Sequence, residues 1–361
     1  ENYKYYRLKC LILLEYHTMS QVNQITILAP NIRSGGGKEL LEYLVEYLSE
    51  ETVLQVLVIL DKSITTIKST ERVKTVRLDS VIDKIKSFSL VFQNVLYFGN
   101  LPPLVKSSSA MVYFHNPYLV MNYSVLRKSS FRLFLKYYLQ QIYLKIFVRN
   151  VNSVACQNMN IREEFIRKYK FNNTHVIPFF RLCGLHQKKK SFIRFDFCYV
   201  SLAHPHKNHK ILFEAFEILA KRNVTQSLAV TIESGHPELI SILDRINEIG
   251  NIEITNLGLL PKKNVCELYA NSRALIFPSL EETFGLPLIE AMHMGLDVLA
   301  SDLPYVYQVI EPTLAFNPND PNDIADKIQQ YLNGSKSKSK ALIQNNIKSL
   351  ISSVMQGANY V

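Results

Sequence analysis

Apolar runs and stretches of helical periodicity alternate along most of this chain. Residues 25–29 (Ile-Thr-Ile-Leu-Ala) are apolar and largely β-branched, which predicts a strand. After a glycine turn at 35–37, residues 38–48 set Leu40, Leu41, Leu44, Val45 and Leu48 in the rhythm of one helical face. Residues 53–60 are almost continuously apolar, as expected of a strand covered on both faces of a parallel sheet. Strands are expected again at 95–98, 110–114, 153–156 and 175–177, with a long helix at 131–148. The rhythm resumes with strands at 197–201, 228–232, 252–254, 274–277 and 297–301. Helices are expected at 209–220, 320–331 and 341–354. This alternation predicts an α/β architecture built on parallel sheets.

A chain of 361 residues is longer than one core usually holds, so two domains are expected, at 19–180 and 181–334. The stretch 183–194, with its run Lys188-Lys-Lys190, reads as a linker, and so does the Ser/Lys alternation at 335–340. Residues 1–18 do not begin with Met, hold a short apolar core at 10–14 and lack a small-residue cleavage site. They read as an extension outside the fold and not as a signal peptide. Apolar content of 47% and charged content of 20% are ordinary for a globular protein, and no apolar run reaches the length of a membrane span. Five cysteines, odd in number and widely spread, suggest neither a disulfide framework nor a zinc site, and fit a reducing, cytoplasmic compartment.

The net charge of +10 is unevenly placed. No acidic residue occurs between Asp83 and Glu163, an interval that holds Lys84, Lys86, Lys106, Arg127, Lys128, Arg132, Lys136, Lys145, Arg149 and Arg162. Such asymmetry points to a polyanionic partner. Within it, residues 127–149 interleave bases with aromatics, which suits a helix lying in lipid headgroups and also a domain helix with a solvated basic edge. No nucleic-acid module appears, so nucleic acid is not expected.

The densest chemistry lies in Glu282-Thr-Phe-Gly-Leu-Pro-Leu-Ile-Glu290. An apolar strand precedes it, and Pro287 suits the first turn of the helix that follows. The free N–H groups of that helix start favour an anion such as a diphosphate. Eight residues span roughly 12 Å if helical, the length scale of a sugar plus a ribose. Ser34-Gly-Gly-Gly37 also follows a strand and opens a helix, where backbone can approach a phosphate closely. It is not a Walker loop, because Ile32 and Glu39 occupy the first glycine and hydroxyl positions. His115-Asn116-Pro117 ends a strand, where ligands bind in open α/β sheets. Pro205-His206-Lys207-Asn208-His209 opens a helix soon after another. The chain contains no Asp-x-Asp pair to hold a metal against a diphosphate, so metal-independent chemistry is expected.

The paired-glutamate segment, from Ser279 to Asp302, resembles the signature of the retaining GT-B glycosyltransferases of family 4, and the Pro-His-Lys-Asn-His wording resembles that of bacterial surface-polysaccharide transferases. The specific match covers about two dozen residues, and weaker ones run from Ile25 to Leu332. The resemblance implies two Rossmann-like domains facing across a cleft, with a C-terminal helix at 335–361 that often crosses back to the first. It implies a nucleotide-sugar donor on the second domain and a lipid-linked or saccharide acceptor on the first. Glu290 would then take the ribose hydroxyls, Glu282 would lie near the sugar, and backbone N–H groups of Phe284, Gly285 and Leu286 would meet sugar or phosphate. Lys207 would stabilise the departing diphosphate, His115 would approach the donor sugar, and the loop with Gly36 and Gly37 would face the diphosphate and the acceptor. No cofactor is implied. The chain departs from the pattern at Leu202, where the family often places an arginine, which makes His204 or His206 candidate helpers of Lys207. With the basic half, the expected location is the inner face of the cell membrane. A nucleotide-sugar epimerase of the same architecture and a non-catalytic, membrane-associated partner protein stay open as alternatives. The donor base, donor sugar, acceptor and linkage are not legible.

Overall fold

The computed structural model describes residues 12, 15–16, 23–107, 109–122, 126, 130–183, 193–282, 284–334 and 338–356. The chain forms two compact units, one of residues 1–181 with 345–361 and one of residues 182–344.

The first unit runs β1 (Gln24–Ala29), α1 (Gly35–Glu51), β2 (Gln55–Asp61), β3 (Val73–Leu78), α2 (Val81–Ser87), β4 (Val95–Phe98), β5 (Ala110–Phe114), α3 (Phe131–Phe147), β6 (Ser153–Cys156), α4 (Met159–Tyr169) and β7 (Thr174–Val176). Its seven strands pair in parallel in the order 3-2-1-4-5-6-7, with β1 between β2 and β4. Successive strand residues point to opposite faces, so each strand feeds two cores. Leu57 and Ile59 join Val112, Phe114 and Phe165 on one face. Val56, Val58 and Leu60 join Leu41, Leu44 and Leu48 of α1 on the other. Burial on both faces is why these strands read as continuous apolar runs.

The second unit runs β8 (Phe195–Tyr199), α5 (His209–Lys221), β9 (Gln226–Val230), α6 (Pro237–Asn247), β10 (Ile252–Asn256), α7 (Lys262–Ala270), β11 (Ser272–Phe277), α8 (Leu286–His293), β12 (Asp297–Ser301), β13 (Ile310–Glu311), β14 (Leu314–Phe316), α9 (Pro321–Leu332) and β15 (Lys340–Ala341). Six strands pair in the order 10-9-8-11-12-14, which is again third, second, first, fourth, fifth, sixth in local count. The last helix, α10 (Ile347–Gln356), packs Ile347, Leu350, Ile351 and Val354 into the first unit's core. It starts at 347 and not at 341, because Lys340 and Ala341 pair with Glu311 and Ile310 as a short antiparallel strand.

Three expectations are corrected. The described residues of the expected extension are not outside the fold: Ile12 and Tyr16 are buried in the first unit, Tyr16 packs edge-on against Phe92 at 5.2 Å, and its hydroxyl accepts the Gln93 N–H at 3.0 Å. Cys183 and Cys266 form a disulfide in the second unit with Cα atoms 5.6 Å apart. A sequence separation of 83 hid the pairing, because only the fold brings α7 back to the start of the unit. Lys84 is not a surface base: it is buried and paired with Asp61 at the end of β2. Burial raises the Asp61 carboxyl, but the bonds from Lys84 and the Ser63 N–H outweigh it and hold the group well below the usual carboxylate range. Arg127, Lys128 and the run at 188–190 lie outside the described residues.

Candidate functional site

In open sheets of this strand order, ligands bind beyond the carboxyl ends of the strands where the order reverses. In the second unit that place lies between β8 and β11. A 3-10 turn, Pro205–Lys207, follows β8, and the loop 278–285 follows β11. Hydrogen bonds strap the two together. The Leu280 N–H and the Ser279 hydroxyl donate to the His206 carbonyl at 2.8 and 3.2 Å. Asn208, held at φ 62°, donates its side-chain amide to the carbonyls of Pro278 and Pro318 at 3.2 and 2.7 Å. The Tyr199 hydroxyl donates to the Lys207 carbonyl at 2.6 Å, and the Tyr305 hydroxyl to the Ser279 carbonyl at 2.8 Å. Inside these straps Lys207 Nζ pairs with Glu282, with side chains only 16% and 12% exposed. Lys207 is therefore a largely desolvated cation and not a solvated helix start.

Glu290 lies one turn into α8. The helix begins after Gly285, at φ 68°, where a Cβ would also come within 2.9 Å of Leu288 Cδ1. Glycine is favoured there by its left-handed conformation, while the Leu288 side chain could shift to admit a Cβ. Pro287 sits in the first turn as expected and brings no N–H, and the Leu288 N–H donates to the Gly285 carbonyl at 2.9 Å. Glu290 is buried, pairs with Lys262 at the start of α7, and accepts from the Tyr269 hydroxyl at 3.4 Å. The two glutamates thus hold separate cations. Phe284 is buried beside them, and Thr283 is not among the described residues.

Histidines ring Lys207. The His204 and His206 rings stack with centroids 5.8 Å apart. His209 is buried at the first position of α5 against Tyr199 at 4.7 Å, and burial pushes its imidazole down to about 4. The Ala203 N–H donates to Glu233 at 2.9 Å, and Glu233 lies 3.5 Å from His236. Leu202 is 41% exposed in the same turn.

The first unit has a counterpart beyond β1, β4 and β5. A cavity of about 320 Å³ is lined by Ser34, Gly37, Asn100, His115, Lys136 and Gln140, among others. The His115 and Asn116 N–H groups donate to Asn100 Oδ1 at 2.7 and 2.9 Å. A Cβ on Gly37 would lie 3.2 Å from His115 Nε2, so glycine makes room for the ring. Gly36 meets nothing within 4 Å and carries no such constraint. Burial pushes His115 down to about 4, so the ring is neutral at neutral pH. A second, apolar cavity of about 270 Å³ shares Asn31 and Arg33 with the first and is walled by Val81, Ile85, Leu101, Leu104 and Tyr143. On α3, Phe131, Leu135, Leu139, Ile142 and Ile146 form an exposed apolar stripe, beside the exposed Arg132, Lys136 and Lys145.

The structure therefore brings Lys207 to Glu282 and Gly37 to His115, each pair within one unit. Sequence reasoning missed Lys262 and Tyr269, the partners of Glu290, because nothing in their spacing links α7 to α8. It also missed Asn100 and Asn208, which occupy left-handed positions that asparagine tolerates. Tyr305, which the sequence did not mark as part of the site, braces the glutamate loop.

Comparison with known proteins adds to this geometry. Residues 186–349 match the family model described as glycosyl transferases group 1. The chain is 33% identical over 138 residues to O-antigen chain mannosyltransferase B of Escherichia coli, which is 37% of this chain and 36% of that protein. The chain thus aligns with about a third of that relative's length. Among solved structures, sucrose-phosphate synthase from Thermosynechococcus elongatus superposes with a TM-score of 0.63 at 15% identity, over 93% of this chain and 94% of that one. HepE of Anabaena, in complex with UDP and glucose, gives a TM-score of 0.60 at 14% identity over 92% and 94%. The fold is α/β with two Rossmann-like units, that of GT-B glycosyltransferase structures.

Proposed function

We propose that this chain is a glycosyltransferase that moves a sugar from a nucleotide-sugar donor to a lipid-linked or saccharide acceptor, with retention at the anomeric carbon, in surface-polysaccharide synthesis. The observation that carries the reading is the strapped Lys207–Glu282 pair at the strand reversal of the second unit. It lies within the region that matches the glycosyl transferases group 1 model.

In this reading the nucleotide sugar binds on the second unit. Glu290 accepts hydrogen bonds from the ribose hydroxyls, and Lys262 and Tyr269 fix its carboxylate. N–H groups at Phe284, Gly285 and Leu286 meet sugar or diphosphate. As the glycosidic bond breaks, negative charge grows on the diphosphate, and Lys207 is a preorganised cation for it. Glu282 holds Lys207 in place and lies by the sugar. The acceptor sits on the first unit, where His115 and Asn100 offer neutral hydrogen-bonding groups for hydroxyls. Catalysis is proposed to need no metal, since the sequence offers no Asp-x-Asp pair. The apolar stripe of α3 with its flanking bases suits the anionic inner face of the cell membrane.

The test is a panel of nucleotide sugars screened by thermal shift, since a ligand bound to the native state raises the melting temperature. Acceptor-dependent release of nucleoside diphosphate in the presence of EDTA is then measured. Stabilisation by one donor and acceptor-dependent turnover support the reading. Product formed without acceptor would favour an epimerase, and no stabilisation by any donor would favour a non-catalytic partner.

A further inference from the structure

The charge at the candidate diphosphate site does not suit a dianion as it stands. Lys207 is paired with Glu282, and Glu281 lies close enough to add a further carboxylate near His206. Leu202, where an arginine would help, is an exposed hydrocarbon. A nucleotide sugar brings two negative charges, and the departing diphosphate gains more. One imidazole is built into the place that must respond. The His206 carbonyl receives both straps from the glutamate loop, so its backbone is fixed against that loop one residue before Lys207, with its half-buried ring stacked on His204 at 5.8 Å.

We propose that His206 is the second cation of the diphosphate site, entering neutral and taking up a proton from solvent as the nucleotide sugar binds. The inference rests on the donor-site reading above. The charges that act on the His206 ring are Lys207 and His204 on its own turn and Glu281 and Glu282 from the loop after β11. Half-burial first, then Lys207, lowers the imidazole below its ordinary value, so the free site carries it neutral at neutral pH. A diphosphate reverses that balance, because a neighbouring negative charge favours the protonated form, and does so more strongly at a half-buried site than in water. The other histidines do not serve. His209 is held down to about 4 by burial, His204 is exposed, and His236 already faces Glu233 and Glu238. When the nucleoside diphosphate leaves, the proton returns to solvent and the site resets.

The proposal is tested by calorimetric titration of GDP-mannose and UDP-glucose in buffers of different ionisation enthalpy. These nucleotide sugars have no phosphate group that titrates near neutral pH. Near neutral pH, binding of whichever one is a ligand should take up close to one proton. Its dissociation constant should rise by up to about tenfold per pH unit above the free imidazole's range. His206→Asn should abolish the uptake and flatten the profile, while His206→Lys should bind with little pH dependence. Both variants keep the backbone straps, and their melting temperatures should stay near wild type. Binding without proton uptake, or uptake that survives in His206→Asn, overturns the proposal and leaves the donor site standing. If neither binds, the titration is run with whichever member of the nucleotide-sugar panel does, and binding of no member at any pH overturns both.

Discussion

At the reversal of its strand order the second unit holds two ion pairs, Lys207–Glu282 and Lys262–Glu290, whereas the first unit gathers a neutral imidazole, an asparagine carboxamide and bare glycine backbone in a cavity whose charged lining, Arg33 and Lys136, is basic only. The two sheets are built alike, so the frame does not set this difference; the residues beyond the strand ends do. Charged groups held out of water respond strongly to a charged ligand. Neutral donors and acceptors in a cavity suit hydroxyls and cost little to desolvate. In the proposed reading, the same frame used twice takes a diphosphate in one unit and a sugar alcohol in the other. The first unit does contain a buried ion pair, Asp61–Lys84, at the end of β2 beside the apolar cavity.

The comparison is broken most severely by removing that structural pair. Lys84→Ala should destabilise the protein, though by less than the about 3–5 kcal/mol of a buried charge left wholly uncompensated, because Arg33 Nε still pairs with Asp61 at 3.0 Å. Denaturant unfolding checks it, and an unchanged midpoint would show that Arg33 alone compensates Asp61. The pH dependence has a definite sign. A carboxyl whose folded value is depressed contributes stability that is complete above its unfolded value, near pH 4, and is lost as the pH falls toward the folded one. Wild type should lose stability below about pH 4 more steeply than an Asp61→Asn variant.

On the catalytic side, Lys207→Ala should cost about 2.7–4 kcal/mol of transition-state stabilisation, roughly 10²–10³ in kcat. A loss below about threefold would mean that another cation carries the diphosphate, and the contrast between the units would weaken. Glu290→Ala should act differently, weakening donor binding by about 1.5–3 kcal/mol, the range for hydrogen bonds to a charged group. A wild-type donor KM in that variant would remove Glu290 from the ribose.

The fold was legible because both faces of each sheet are covered, so the strands announce themselves as apolar runs. The elements that were passed over, β3 and α2 among them, are short and carry Lys74, Arg77, Lys84 and Lys86, which interrupt the pattern. At the site, Glu282, Glu290 and Lys207 were legible from motif and helix-start chemistry. Their partners were not. Lys262 lies 28 residues before Glu290, and Glu282 lies 75 after Lys207, so each pairing exists only once the strands are ordered. Lys84 misled for the opposite reason: a lysine in a basic stretch looks solvated until Asp61 is placed beside it.

A smaller effect per residue is expected at the membrane. Arg132, Lys145 and Arg149 are exposed, and each should contribute about 1 kcal/mol near an anionic surface. Their joint replacement by glutamate should release the protein from anionic vesicles without changing nucleotide-sugar affinity. Vesicle binding that ignores lipid charge and salt would assign the basic half to another partner.

The most direct test of the division between the units is amide hydrogen exchange with and without a bound nucleotide sugar. The account predicts the strongest new protection in the second unit, at 204–209, 262–269 and 279–290, with little change at 95–116 of the first. Protection centred on the glycine turn at 35–37 and the His115 cavity, with the glutamate loop unchanged, would contradict it.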